Sequence, residues 1–145
     1  MTVPGRRAAF IHSEAIEQYS YPAGCPFKSE RAGQVRRTLS SMGLLSGAGI
    51  SEVAPVPADR CIVKKFHSAR YLHALKNAAK GRHDVEALHM GLGTEDCPIF
   101  RAMYDYALLA AGATLVGAEL LLSDQADVVF NPSGGYHHAF PEKAA

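Results

Sequence analysis

The 145 residues suffice for one ordinary domain with its own core, and 48% of them are hydrophobic against 20% charged. This composition excludes a disordered chain, and a net charge of +1 without a basic tract argues against nucleic-acid or anionic-membrane partners. The longest uncharged run, residues 106–118, is shorter than the roughly 20 residues of a membrane helix. Without a CxxC pair or a secretory signal, we expect free thiols and a single cytoplasmic domain over residues 1–145.

Three short apolar segments predict β-strands. The stretch AAFI (8–11) predicts a buried first strand, and ISEVAPV (50–56) predicts a second strand that Pro55 and Pro57 end. The stretch VVF (128–130) shows no alternation, so we expect a third strand that is covered on both faces.

Helical patterns separate these strands. Ser29 predicts the cap of a helix that Gly43 ends, and Ser68 predicts the cap of an amphipathic helix that stops at Gly81. The longest pattern covers residues 99–122, and its middle, YALLAAGATLVGA (106–118), is apolar nearly all round, so we expect this helix to be buried on most sides. Strands separated by helices predict an α/β fold in which helical layers cover a parallel sheet.

The C-terminal stretch NPSGGYHHAFPEKAA (131–145) directly follows the third strand. It places His137 and His138 just past the carboxyl end of a strand, where ligands usually bind in open α/β sheets. Gly134 and Gly135 permit close approach to the backbone. In an irregular loop both imidazoles can face a cleft and act as acid, base or electrostatic partner near neutral pH. On spacing alone, a surface turn with two solvated histidines is the slightly better interpretation.

This stretch resembles the corresponding segment of the zinc-dependent deacetylase superfamily, which includes histone deacetylases, acetoin-utilisation proteins and acetylpolyamine amidohydrolases. Two upstream stretches, FHSARYLHAL (66–75) and GLGTEDCPIF (91–100), agree with that family in order and spacing. The resemblance runs from about Ala9 to Ala145. It implies the N-terminal part of the arginase/deacetylase-like fold, a three-layer α/β/α architecture with a parallel sheet. The complete enzyme would use zinc-activated water to hydrolyse an acetyl-amide, either acetyl-lysine or an acetylated small amine.

The resemblance also implies roles for particular residues. His138 matches the general base of the tandem histidines, and His137 matches the partner that acts electrostatically and in proton handling. Asp96 matches a rim aspartate that accepts hydrogen bonds from the substrate backbone. Gly135 and Tyr136 match positions that line the narrow acyl-lysine tunnel.

One further position, Arg31, resembles an arginine near the internal cavity proposed to handle acetate. Without the resemblance, Arg31 would be a solvated residue on a polar helical face, Asp96 part of an ordinary acidic loop and Tyr136 a packing aromatic. His67 and His73 lie on or beside the Ser68-capped helix at a spacing that does not put them on one face. We expect these two histidines to be structural or solvated.

The family holds its zinc with an Asp-x-His pair and a later aspartate, all downstream of the histidine motif. No Asp-x-His occurs in this chain, so we expect it to bind no metal and to be inactive by itself. The chain could be a fragment of a longer deacetylase, which its ending inside a motif favours. It could also be a short paralogue acting as a non-enzymatic binding or assembly module, or be completed by a separate polypeptide. Exposed edges of an incomplete sheet predict a homo-oligomer.

Overall fold

The computed structural model describes residues 5–135 and 138–144. Its sheet consists of three parallel strands in the order β2-β1-β3. The strands are β1 Ala8–Ile11, β2 Ile50–Val53 and β3 Val128–Phe130. The predicted parallel sheet is confirmed, and β2 ends two residues before Pro55, which has no N–H to donate to a ladder.

Five helices and one 3-10 turn, Glu14–Gln18, connect these strands within the described residues. The helices are α1 Arg31–Ser41, α2 Arg60–Val63, α3 Ala69–Ala78, α4 Val85–His89 and α5 Met103–Leu122. The predicted cap of α3 is confirmed, because the Ser68 hydroxyl accepts a hydrogen bond from the Tyr71 N–H. The predicted cap of α1 is wrong. The Ser29 hydroxyl donates instead to the Tyr19 carbonyl, and Glu30 is the N-cap residue.

One face of the sheet packs against α5. Ala9 and Ile11 of β1 form a buried cluster with Ala113 of α5, and partly buried Val116 and Val129 join it. These side chains share one face because alternate residues of a strand point the same way. The central strand therefore places its small and branched side chains under the long helix.

The segment that follows β2 crosses the other side of α5. The Ala58 N–H donates to the Leu108 carbonyl over 2.8 Å, and a Cβ added at Gly112 would lie 1.7 Å from the Val56 carbonyl oxygen. Only glycine permits this approach of two backbones. The Ala- and Gly-rich middle of α5 is thus explained by the segment that lies against it.

The opposite face of the sheet carries Phe10, which pairs in register with Glu52 of β2 and Phe130 of β3. The Phe10 and Phe130 rings contact each other at 5.7 Å between centroids. Arg36 of α1 reaches this face, where its Nε lies 2.5 Å from a Glu52 carboxylate oxygen. A helix on each side of the sheet gives the layered arrangement that the sequence predicts.

A cluster of charges fixes the amino ends of β1 and β3. The Arg7 backbone N–H and Nε both donate to the Asp127 carboxylate, and Arg7 Nη2 lies 2.8 Å from a carboxylate oxygen of Asp124. These bonds hold the pKa of Asp127 at about 2 and raise the pKa of Arg7. The arrangement anchors the turn before β3 to the residue before β1.

Two burial expectations are wrong for the described residues. Val128 and Phe130 of β3 are 46% and 50% exposed, so the strand is not covered on both faces. Only about a third of an 18-residue stretch of α5 is buried, so this helix is not buried on most sides. By length and composition alone, α5 is also long and apolar enough to span a membrane. Core helices of soluble proteins meet the same criterion, and α5 packs here on β1 and β3.

Candidate functional site

The segment after the histidine motif lies against the start of α3. The His67 Nδ1 is 3.0 Å from the Phe140 carbonyl oxygen, and the Ser68 N–H donates to the Pro141 carbonyl over 2.8 Å. These contacts join two of the three stretches on which the family resemblance depends. The two stretches are far apart in sequence and become neighbours only in the fold.

The same segment continues to the stretch that contains Asp96. The Ala144 N–H donates to the Met90 carbonyl over 2.8 Å, and a Cβ added at Gly91 would lie 2.5 Å from the Ala144 carbonyl oxygen. Gly91 also has a φ of +80°, which favours glycine. The third stretch therefore meets the C-terminal segment at a position where a side chain would not fit.

Asp96 lies on an exposed loop that is closed by local hydrogen bonds. The Gly93 N–H donates to the Cys97 carbonyl, and the Thr94 hydroxyl accepts from the Cys97 N–H. Burial, and secondarily the Asp96 carboxylate, raise the pKa of the Cys97 thiol. The loop thus exposes Asp96 to solvent, whereas its neighbour Cys97 is half-buried, and the role of Asp96 at a substrate rim stays a prediction.

Tyr71 connects α3 with this loop. Its side chain is buried in a cluster that contains Met90, Leu92 and Met103. Burial raises the pKa of Tyr71 to about 12, with a smaller contribution from Cys97. The first turn of α3 therefore contacts both the Asp96 loop and the segment after the histidines.

The residues between β3 and the histidines form a turn that is bound to α5. The Asn131 side-chain amide donates through Nδ2 to the Thr114 hydroxyl over 3.1 Å, and its Oδ1 accepts from the Ser133 N–H over 3.0 Å. Gly135 follows with a φ of +89° and is exposed, and His138 is exposed as well. Their roles as tunnel residue and base stay predictions. Tyr136 and His137 lie outside the described residues.

Arg31 is the first residue of α1 and is exposed. Helix α1 contacts mainly the 3-10 turn rather than the three stretches described above. Arg37, on a different face of α1, pairs with Glu17 instead, with its Nη1 3.2 Å from a carboxylate oxygen, and its side chain is 60% exposed. The role of Arg31 near an acetate cavity stays a prediction.

Sequence reasoning missed His12, which directly follows β1 at the carboxyl edge of the sheet. Its side chain is 2% exposed, and its Nε2 lies 3.0 Å from a Glu17 carboxylate oxygen. Its Nδ1 is buried without a hydrogen-bond partner among the described residues, and so is the Ser133 hydroxyl that follows β3. A histidine ending a buried apolar run was a signal, since polar groups at this edge of parallel strands often serve ligands.

Two open grooves flank the C-terminal segment. One has a volume of about 450 Å³ and lies between α3 and α4, with Arg70, Glu86, His89 and Glu142 among its lining residues. The other measures about 580 Å³ and lies beside Phe66, His67 and Phe140. Neither has Asp96 or His138 among its described lining residues, so neither is the acyl tunnel that the resemblance implies.

The described residues do not fit a zinc site. Between Gly5 and Gly135 and from His138 to Ala144, no three His, Cys, Asp or Glu side chains come together in a group that could hold a metal ion. A catalytic zinc needs three protein ligands and an open position. Among the residues that the structure describes, no group meets that requirement.

Comparison with known proteins identifies the family. The model of the histone deacetylase domain matches residues 25–145. The acetoin utilization protein AcuC of Bacillus subtilis is 32% identical over 141 residues, which cover 97% of this chain and 36% of that protein. Histone deacetylase 8 of Xenopus tropicalis is 38% identical over 117 residues, or 79% of this chain and 31% of that protein.

The fold agrees with a solved structure of the same family. The crystal structure of a histone deacetylase homologue from Aquifex aeolicus superposes with a TM-score of 0.83 at 27% identity, covering 97% of this chain and 37% of that one. The chain belongs to the histone deacetylase family, and its fold is the N-terminal part of the arginase/deacetylase-like α/β fold. It spans about a third of the length of the relatives it matches.

Proposed function

We propose that this chain supplies the substrate-facing and base-bearing loops of a deacetylase catalytic domain. The convergence of the three stretches around the start of α3 supports this most directly. His67 and Ser68 bind the segment after His138, and Met90 binds Ala144 at the start of the Asp96 loop. Because the chain belongs to the histone deacetylase family, we propose amide hydrolysis as the reaction that these loops serve.

In the proposed reaction, an acetylated lysine or an acetylated small amine is the substrate. Asp96 accepts hydrogen bonds from the substrate backbone, and its exposed position leaves its carboxylate accessible. Gly135 and Tyr136 line the path of the acyl group. His138 takes the proton of the attacking water, with His137 as its electrostatic partner.

The metal belongs to the same proposal but not to the described residues. We place the zinc of the complete domain on residues outside this chain, where it would polarise the acetyl carbonyl and activate water. The residues present then bind, orient and exchange protons around a centre that they do not coordinate. A non-enzymatic module on the same half-fold is the alternative, and no contact in the described part favours it.

The first test uses the 145-residue chain alone. It should bind no stoichiometric zinc and should not release acetate from an acetyl-lysine peptide, as measured by metal analysis and an acetate assay. Turnover or a 1:1 zinc complex in this chain would contradict the proposal that the zinc ligands lie on residues outside it.

The second test joins residues 1–145 to the part of Bacillus AcuC that lies beyond the matched region. The joined domain should bind one zinc and hydrolyse the acetyl-lysine peptide. Asp96→Ala should lower kcat/KM by roughly 10- to 100-fold, since a hydrogen bond to a charged group contributes about 1.5–3 kcal/mol. Glu95→Ala, at the adjacent exposed position, is the matched control. A folded, zinc-loaded domain without turnover would overturn the proposal.

We further infer that the isolated chain self-associates through β3. Within the described part of the chain, β3 pairs only with β1, and its other edge is open. Val128 and Phe130 of β3 are 46% and 50% exposed, and Leu122 at the end of α5 is 88% exposed. Open edges beside apolar side chains favour pairing with another chain.

Sedimentation over a wide concentration range tests this contact. Phe130→Lys should shift a dimer or larger species to monomer, because a charged residue blocks edge pairing. Met42→Lys changes a comparably exposed apolar residue after α1 and should leave the association unchanged. A monomeric wild-type chain at all concentrations would disprove the contact.

The remaining expectations from the sequence stay proposals. We propose a single cytoplasmic domain without a nucleic-acid or membrane partner. The free thiols of Cys25, Cys61 and Cys97 and the net charge of +1 support this. Fractionation of cells that express the tagged chain would check the location.

A further inference from the structure

The backbone that follows His138 is held at three points. The Phe140 carbonyl oxygen is 3.0 Å from His67 Nδ1, and the Pro141 carbonyl accepts from the Ser68 N–H over 2.8 Å. The Ala144 N–H donates to the Met90 carbonyl at the same distance. The nearest of these contacts to His138 is the one made by His67, only two residues along the chain.

The His67 ring is itself fixed in place. It is half-buried between Phe66 and Tyr71, with ring centroids at 4.9 Å and 5.2 Å. A carbonyl oxygen only accepts hydrogen bonds, so Nδ1 must carry the proton and donate to Phe140. Both the neutral Nδ1–H tautomer and the cation do this, so the bond does not depend on the charge of the ring.

A second anchor precedes the histidine motif. Asn131 follows β3, and its side-chain amide donates through Nδ2 to the Thr114 hydroxyl of α5 while its Oδ1 accepts from the Ser133 N–H. His138 is therefore attached to the body of the protein on both sides. Of the two anchors, only the one at Phe140 depends on the His67 side chain, which directly precedes the Ser68 cap of α3.

The same turn of α3 also contacts the loop of Asp96. Tyr71, against which the His67 ring packs, is buried beside Met90 and Leu92 and lies near Cys97. His67, which packs on Tyr71, can set the position of the proposed base His138 relative to the proposed substrate-binding carboxylate of Asp96. No local pattern predicts this contact, because the partner of His67 is 73 residues away.

We propose that His67 is a positioning residue whose Nδ1–H bond to the Phe140 carbonyl orients His138 relative to the Asp96 loop. The part of this inference that concerns catalysis rests on the proposed function. His67 touches neither substrate nor metal and acts through the backbone of residues 138–140.

The first experiment needs no activity and uses the 145-residue chain. His67→Phe keeps a ring between Phe66 and Tyr71 but removes the donor. His67→Asn places an amide N–H close to the position of Nδ1, whereas His67→Gln carries its N–H one bond farther from the backbone. His73→Phe is the matched control, because His73 is an exposed histidine of the adjoining helix α3 and bonds to Asn77.

Amide hydrogen exchange and NMR give the readouts. In His67→Phe and His67→Gln, the Ser68 and Ala144 amides should exchange about tenfold faster or more as the segment loosens. The ring resonances of His138 should shift in the same variants. His67→Asn and His73→Phe should resemble the wild type. Unchanged exchange and His138 shifts in His67→Phe and His67→Gln, or an Asn variant that behaves like Phe, would overturn the inference.

The second experiment measures catalysis in the joined domain described above. His67→Phe should lower kcat by about tenfold or more at equal zinc content with little change in KM, because a misplaced base affects the chemical step. His67→Asn should restore kcat. A loosened segment with unchanged kcat would make His67 merely structural and overturn its positioning role. An inactive wild-type domain would instead refute the proposed function, and the exchange data would still decide the contact.

Discussion

The amino and carboxyl ends of the sheet are built from different kinds of polar side chain. At the amino end, Arg7 is fully engaged by the carboxylates of Asp124 and Asp127. At the carboxyl end, His12 Nδ1 and the Ser133 hydroxyl are buried without a partner among the described residues. A paired charge cluster fixes strands, whereas unpaired buried polar groups cost stability. The difference indicates that the amino end serves the fold and the carboxyl end serves a site.

The largest expected effect distinguishes the two ends of the sheet by how strongly a substitution at each end lowers activity. In the joined domain, His138→Ala should lower kcat/KM by about 10²- to 10⁴-fold, as for a lost general base. Its thermal midpoint should hardly change, because His138 is exposed. Arg7→Met should instead lower the thermal midpoint and leave kcat per folded molecule unchanged. Loss of activity in folded Arg7→Met would contradict the distinction between the two ends of the sheet. Arg6→Met is the control, because it removes a positive charge at the exposed neighbouring position.

An intermediate effect concerns acid stability at the amino end. Arg7 lowers the pKa of Asp127 from 3.8 to about 2. A carboxyl group with a depressed pKa in the folded state stabilises the fold above its unfolded pKa and loses this contribution as pH falls through its folded pKa. The contribution should therefore be complete above about pH 4 and should fade toward pH 2.

Urea unfolding of the wild type and Asp127→Asn between pH 5 and pH 2 measures this contribution. The variant should be less stable at pH 5 and should show a flatter acid limb, so that the two curves converge near pH 2. Parallel curves over the whole range would show that the Arg7–Asp127 pair contributes nothing to folding.

The smallest expected effect concerns His12 at the carboxyl end. His12→Phe removes a buried unpaired nitrogen, which costs about 1–3 kcal/mol, and gives up one bond to the Glu17 carboxylate, which contributes about 1.5–3 kcal/mol. Glu17 keeps its ion pair with Arg37. Because the two contributions nearly cancel, the free energy of unfolding of the 145-residue chain should change by no more than about 2 kcal/mol. A loss of more than about 2 kcal/mol would show that His12 is a structural residue like those at the amino end.

Local signals predicted the strands and the α3 cap because they depend on neighbours in the chain. The strands β1 and β3 lie where the apolar runs are, and Ser68 caps α3. Two short helices were missed, although Asp59 and Asp84 begin them as side-chain caps. Four- and five-residue helices carry too little periodicity to be recognised.

The predictions that failed depended on distant contacts. Ser29 is a good cap residue, but the Tyr19 carbonyl engages its hydroxyl. The pattern of residues 99–122 suggested a longer helix, yet α5 begins at Met103, after Ala102 adopts a φ of +61°. The burial of α5 and β3 depends on which elements cover them, and an apolar pattern does not specify that.

By itself, the sequence determined the class of fold, the family and the three stretches that resemble the family's motifs. Local periodicity, helix caps and the order of the motifs indicate these features, and such local signals are present in the sequence without any tertiary contact. Only the tertiary structure decided that the three stretches meet at α3, that His67 binds Phe140 and that His12 is buried beside Glu17. Such contacts form when parallel strands bring their carboxyl ends to one edge, and a pairing across 73 residues has no local signature.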